Sequence, residues 1–263
     1  MTIDFAARSE IGRRETNDDR VLAGSRILNG GSMAGRLTLP GMAVVCDGCG
    51  GYDGGGIAAE TVLRVLAGKE PSALQDRETI ERVLEDCEKE VAKQKEVMPE
   101  YPEMCTTIAG CIFTDTKILI FHAGDSRVYR CDEWGLARMT LDHSAVQTLI
   151  NMGRIAEKEA LTHPNRNLIT RCIGGDTLPP ELYVAETAIG PGEKFLLCSD
   201  GLSDFVPDSR MKEILSADLP LDAMVDTLVE TAFMQGSDDN ISVCICAAED
   251  GKCAAESKPL ILD

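Results

Sequence analysis

Aromatic side chains are scarce. Phe, Tyr and Trp make up 4% of the 263 residues, with a single tryptophan. Val, Ile, Leu, Ala, Met and Cys must therefore fill the core, and an apolar fraction of 44% is enough for one large domain. Histidine is limited to His122, His143 and His163, with no metal-type spacing among them, which argues against a zinc centre. No apolar run approaches the ~20 residues of a membrane span. Positive charge is also short: 26 Lys and Arg against 44 Asp and Glu give a formal net charge of −18. Such a chain repels nucleic acid and anionic membrane and suits cations and basic partners, although most of these acids read as solvated surface. Met1-Thr2-Ile3-Asp4-Phe5 does not open a secretory leader. The 11 cysteines are odd in number, and Cys111, Cys198, Cys244 and Cys246 sit inside apolar runs. A reducing, cytoplasmic setting is the expectation.

What the chain has is acids placed where strands stop. In Ala43-Val44-Val45-Cys46-Asp47-Gly48-Cys49-Gly50-Gly51 a buried-strand pattern ends at Asp47, and glycines follow. A carboxylate at a strand exit beside open backbone suits a hard, oxygen-seeking cation. A nucleotide-binding loop is disfavoured, because the acid precedes the glycines and no Gly-Lys-Ser/Thr ending appears. Lys194 to Cys198 followed by Ser199-Asp200-Gly201 repeats the design. Gly124-Asp125 and Asp239-Asn240 place acids in turns beside strands, and Asp18-Asp19 follows Arg14 in a polar loop. Arginine there suits a phosphate, since its planar fork donates two hydrogen bonds. If these ends converge, their repulsion requires cations, and all-oxygen ligands select Mg²⁺ or Mn²⁺. Cys46-Asp47-Gly48-Cys49 is formally Cys-x-x-Cys, but no second cysteine pair completes a zinc site.

Periodicity gives a coarse map. Strands are expected over Thr2 to Arg8, Val21 to Leu28, Met42 to Cys46, Cys105 to Phe113, Lys117 to Ala123, Val128 to Cys131, Leu136 to Thr140, Leu182 to Thr187, Lys194 to Cys198 and Ile241 to Ala247. Helices are expected over Ile57 to Leu66, Gln75 to Val97, Asp142 to Met152, Asp208 to Leu215 and Leu221 to Gln235. Asn29 to Gly35 reads as a mobile glycine-rich loop, Gly153 to Asn167 as a surface flap, and Leu168 to Ile173 as an apolar run. Short turns between successive strands argue for an antiparallel meander and against a Rossmann-type fold. With no repeat, low-complexity block or linker, one domain over residues 1–247 and a polar tail over 248–263 are expected.

The ordered set Arg14-x-x-Asn17-Asp18-Asp19, Val45-Cys46-Asp47-Gly48-Cys49-Gly50-Gly51, Thr106-Thr107, Gly124-Asp125-Ser126-Arg127, Asp142-His143-Ser144, Ser199-Asp200-Gly201-Leu202 and Asp239-Asn240-Ile241-Ser242 resembles the metal-dependent protein phosphatases. These are the type 2C serine/threonine phosphatases, and the likeness is to their short bacterial form. The resemblance spans about Thr2 to Ala247. It implies an α+β fold, a four-layer α-β-β-α sandwich of two antiparallel sheets flanked by helices. It implies hydrolysis of phosphoserine and phosphothreonine in proteins by a metal-bridged hydroxide, with no covalent phosphoenzyme.

By the same resemblance Asp47 bridges two Mn²⁺ or Mg²⁺ ions, and the Gly48 carbonyl ligates one. Asp200 and Asp239 are further ligands, and Asp125 belongs to a weaker third site. Asp18 and Asp19 support the cluster around metal-bound water, and Arg14 binds the substrate phosphate. The chemistry is thus assigned to Arg14, Asp18 and Asp47. Two positions depart from the family pattern. Asp18 stands where Glu is usual and is one methylene shorter. Cys49 stands where the animal enzymes carry His, so the general acid is unassigned, and Cys49 is a candidate for oxidation. No Cys-x5-Arg loop supports tyrosine-phosphatase chemistry. Phosphorylated Ser/Thr proteins and a cognate Ser/Thr kinase are the implied partners, with no nucleic acid or membrane, and the chain is expected to be monomeric. The main alternative is a weak or inactive pseudophosphatase that only binds phosphoproteins. The branch acting on anti-sigma-factor antagonists and a non-enzymatic acidic interaction protein are the others.

Overall fold

A computed structural model describes residues 2–49, 54–74, 76–160, 162–175, 180–185 and 189–248. The chain begins with β1 (Thr2–Glu10), β2 (Arg20–Ala23), β3 (Arg26–Leu28), β4 (Gly31–Thr38), β5 (Gly41–Cys46) and β6 (Gly48–Cys49). Two helices follow, α1 (Gly55–Ala67) and α2 (Arg77–Val97). A run of short strands comes next: β7 (Cys105–Thr106), β8 (Ile108–Phe113), β9 (Ile118–Ala123), β10 (Arg127–Asp132) and β11 (Gly135–Arg138). The last part holds α3 (Ala145–Asn151), α4 (Glu157–Ala160), β12 (Glu181–Ala185), β13 (Lys194–Cys198), α5 (Asp200–Ser203), α6 (Asp208–Leu215), α7 (Leu221–Met234) and β14 (Ile241–Ala248).

Two six-stranded sheets form, in the orders β11-β10-β13-β14-β1-β4 and β12-β9-β8-β5-β2-β3, and β6 pairs separately with β7. The pairings are antiparallel. Alternation of side chains along each strand explains the unbroken apolar runs. On β5, Met42, Val44 and Cys46 pack under α1 and α2, while Ala43 and Val45 face the other sheet. On β14, Cys244 and Cys246 point between the sheets, and Ile241, Val243 and Ile245 point toward α5, α6 and α7. Both faces of the central strands are therefore dry. Phe113 and Phe195 meet edge-on between the sheets at 5.5 Å, one of the few aromatic contacts this composition permits.

The helices bury the faces expected of them: Ile80, Val83, Leu84, Cys87 and Val91 on α2, and Met224, Val225, Leu228, Val229 and Ala232 on α7. Asp76 starts α2 through a capping box with Thr79. At α3 the Ser144 hydroxyl is the cap and accepts from the Gln147 N–H at 3.2 Å. Asp142 instead pairs with Arg127 at 2.7 Å.

Several local expectations change. The strand over Val21 to Leu28 is a hairpin of two strands, β2 and β3. Asn29 to Gly35 is largely β4, an edge strand that buries only Met33 and Leu37. Its glycines and polar residues read as loop because pairing on one side and two inward side chains suffice to hold it. Cys105 to Phe113 divides near Thr107, with β7 pairing to β6 and β8 to β5. The run Leu168 to Ile173 contributes only isolated bridges at Ile169 and Ile173, and the flap contains α4. Gly50 to Asp53, Asp176, the end of the strand expected at Leu182 to Thr187 and the tail beyond Ala248 lie outside the described residues. Among the described residues no helix is long and apolar enough to cross a membrane.

Candidate active site

The acids leave the two sheets at the same end. Asp47 follows β5, and its backbone is fixed by β7 and the residue after it. The Asp47 N–H donates to Thr107 Oγ1 at 3.0 Å, and its carbonyl accepts from the Thr107 N–H at 2.8 Å and the Thr106 hydroxyl at 2.9 Å. Gly48 lies against the start of α1. A Cβ there would stand 2.2 Å from the Gly55 carbonyl carbon, so no larger residue permits this approach. From the other sheet, Asp200 follows β13 by two residues and opens α5, and Asp239 precedes β14. Asp125 occupies the turn between β9 and β10, and Asp18 and Asp19 precede β2.

Arg14, Asp18, Asp47, Gly48, Asp125, Asp200 and Asp239 line a single cleft of about 630 Å³. Asp19 lies beneath its surface, 1% exposed. Thus the residues singled out by the motifs are brought together, with Asp19 set behind the others. Arg14 is half-exposed at the rim and meets Asp239 at 2.8 Å. The neighbouring Arg13 lies over the Phe233 ring at 5.3 Å. Asn167, at the end of the flap, and Cys49 also line the cleft.

Three residues that the motifs contained without a role hold the acids in place. Asn240 is nearly buried and clamps the loop carrying Arg14 and Asp18. Its amide donates to the Ile11 and Thr16 carbonyls at 2.9 and 2.8 Å, and its Oδ1 accepts from the Asp18 N–H at 2.9 Å. The loop can lie this close because Gly12 has φ +62° and carries no Cβ, which would stand 2.1 Å from the Asp239 carbonyl oxygen. Ser199 donates to Asp19 Oδ2 at 2.7 Å and accepts from the Ser242 N–H at 3.0 Å. Thr107 ties Asp47 to Ser126, whose hydroxyl is 2.7 Å from its own. The available signal was a small polar residue beside an acid at each strand end.

Such crowding disfavours ionisation. Burial pushes Asp19 up to about 7, with hydrogen bonds from Ser199 and Ser242 opposing and the charges of Asp239 and Asp18 adding. Asp125 also rises to about 7, through burial and then the charges of Asp142 and Asp204. Asp47 and Asp200 lie well above the ordinary carboxylate range, first from burial and then from neighbouring acids. Asp19 Oδ1 and Asp200 Oδ1 are buried with no hydrogen-bond partner. Unpartnered carboxylate oxygens in an all-oxygen cluster fit hard divalent cations and do not fit a thiophilic metal. The Cys49 thiol is pushed well above its ordinary value by hydrogen bonds with Cys105 and Cys172 and by burial, which makes it a poor nucleophile.

Comparison with known proteins yields a family model described as protein phosphatase 2C, which matches residues 8–237. The serine/threonine protein phosphatase PstP of Mycobacterium tuberculosis is 32% identical over 258 residues, covering 95% of this chain and 46% of that protein. The chain therefore spans about half the length of that curated relative. The serine/threonine phosphatase stp of Listeria monocytogenes is 32% identical over 223 residues, 82% of this chain and 88% of its own length. Among solved structures, the catalytic domain of PstP in complex with two manganese ions superposes with a TM-score of 0.79. It is 30% identical and covers 95% of this chain and 100% of that one.

Proposed function

The chain belongs to the protein phosphatase 2C family, and from that membership we propose that it is a metal-dependent protein serine/threonine phosphatase using two Mn²⁺ or Mg²⁺ ions. The observation that carries this reading is the convergence of strand-end acids from both sheets on one cleft, with buried carboxylate oxygens left without partners. Asp47, the Gly48 carbonyl, Asp200 and Asp239 would hold the two ions, and Asp125 a third. When bound, the ions supply positive charge and an activated water for attack on a phosphate ester. The side chains do the rest. Arg14 offers its guanidinium at the cleft rim, where a phosphoryl group enters, and its planar fork matches two phosphoryl oxygens. Asn240 holds Arg14 and Asp18 in register by tying their loop down at both ends. Thr107 and Ser199 fix Asp47 and Asp19, so little reorganisation is needed when charge changes at the centre. Hydrogen bonds with Cys105 and Cys172 and burial push the Cys49 thiol well above its ordinary value, which accords with hydrolysis without a cysteinyl intermediate.

The test is hydrolysis of a phosphothreonine peptide with Mn²⁺, with Mg²⁺ and with EDTA, beside an Asp239→Asn variant. Turnover should require a divalent ion and collapse in the variant. Folded wild type that is inactive with both metals, or activity undiminished in EDTA, would overturn the proposal.

A further inference from the structure

A second group of metal-ligating atoms stands beside the acids. Cys49 and Cys105 are directly paired residues of β6 and β7. Cys172 immediately precedes Ile173, which bridges to Thr106 through two backbone hydrogen bonds of 2.8 and 3.0 Å. Three segments far apart in sequence are thus locked together by backbone pairing. Their sulfurs all lie within 4.8 Å of one another, with Cys49 and Cys105 only 2.9 Å apart. Cys172 is buried, whereas Cys49 and Cys105 are half-buried and Cys49 lines the cleft.

From this geometry we infer that Cys49, Cys105 and Cys172 form a binding site for one thiophilic metal ion of the Zn²⁺ class, separate from the oxygen-lined centre. Tetrahedral zinc–thiolate bonds of ~2.3 Å place sulfurs roughly 3.7 Å apart, between the 2.9 Å of the Cys49–Cys105 pair and the 4.8 Å that bounds all three. The third thiol favours a metal over a disulfide, which would use two and strand one. Three protein ligands would leave a fourth position for water or an exogenous donor. Binding releases the three thiol protons to solvent. Three thiolates and a divalent ion carry one net negative charge. The Cys105 thiol is pushed up to about 12, first by its hydrogen bond with Cys172 and also by burial, against the opposing Cys49 hydrogen bond and Lys95 charge, so the ion must displace firmly held protons. Lys95 is itself held by the Gly174 carbonyl at 2.6 Å, and Glu88 accepts from the Gly174 N–H at 2.7 Å, so α2 pins the segment next to Cys172. A metal here would fasten β6 to β7 one residue from Gly48. Softness separates the two sites: sulfur selects this ion, and carboxylates select the others.

The test is a Co²⁺ titration of the reduced, metal-stripped full chain, read by the thiolate-to-cobalt charge-transfer band. Oxygen ligands do not give that band, and no substrate is needed, so the result is independent of the phosphatase assay. One band whose final intensity corresponds to a single thiolate-bound Co²⁺, bleached by added Zn²⁺, is expected. It should be lost in Cys172→Ser and in the more exposed Cys49→Ser, and retained in Cys87→Ser, whose thiol packs elsewhere. Circular dichroism checks that each variant is folded. Absence of the band in wild type, or its persistence in folded Cys172→Ser and Cys49→Ser, would overturn the inference. So would peptide mapping that finds a Cys49–Cys105 disulfide in a protein that shows no thiolate-to-cobalt band after reduction.

Discussion

Replacing Asn240 with alanine tests whether the site is held by its loop clamp. The side chain makes three hydrogen bonds, to Ile11, Thr16 and the Asp18 N–H, at a position 6% exposed. Each bond is worth about 1 kcal/mol net, so losing all three should cost about 3 kcal/mol. For a domain of about 250 residues this lowers Tm by roughly 6–12 °C. The larger effect should be on activity. Loosening residues 11–18 displaces Arg14 and Asp18, and a misplacement of about 1 Å costs on the order of 100-fold in kcat/KM. Asn240→Asp should be no better at neutral pH. It keeps an acceptor for the Asp18 N–H, but it turns a carboxylate toward two carbonyls beside an acidic cluster. Thermal melts and phosphopeptide kinetics at saturating Mn²⁺ read both quantities. An alanine variant melting within about 1 °C of wild type, with kcat/KM within about twofold, would refute the clamp.

Other outcomes follow from the same geometry. Asp19 and Asp125 are held up to about 7 from 3.8 in the folded chain, so their protons favour folding at low pH. That contribution is complete below the unfolded pKa of ~3.8 and lost as pH rises through about 7. The Tm of EDTA-treated protein should therefore fall relative to Mn²⁺-loaded protein between about pH 4 and pH 7, and a constant gap would contradict this. Gly48→Ala places a methyl group against the Gly55 backbone. It should cost about 2–3 kcal/mol and weaken Mn²⁺ binding measured by calorimetry, and wild-type affinity would count against the role of its carbonyl. Arg14→Ala should lower kcat/KM by roughly 100-fold, mainly through KM, with Arg14→Lys recovering only part because it lacks the planar fork. Equal kinetics for the lysine variant and wild type would exclude bidentate phosphate binding.

Much of this was legible in the linear chain, because dry strands and amphipathic helices announce themselves by period. The run at Met42 to Cys46 is apolar throughout, and that at Ile241 to Ala247 is apolar except for Ser242, because each strand is covered on both faces, and α2 and α7 carry their buried stripes at helical spacing. The acids were legible for a related reason: Asp47 and Asp200 each stand just past the end of an apolar run, with glycine following. β4 was not legible, because an edge strand needs only two inward side chains, Met33 and Leu37, and its remaining residues resemble a loop.

What the sequence determined by itself was the list of acids, their strand-end positions and the preference for oxygen-seeking cations. Tertiary structure alone decided which atoms meet. Asp19 goes under the cleft because Ser199, 180 residues away, holds its carboxylate there. Asn240 becomes the clamp of a loop more than 220 residues earlier. Cys49, Cys105 and Cys172 have no common spacing, yet antiparallel pairing brings their sulfurs together. Local periodicity records which side of an element is buried. It carries no record of which distant strand ends share a side of the molecule, because that is set by sheet register and by how the two sheets stack.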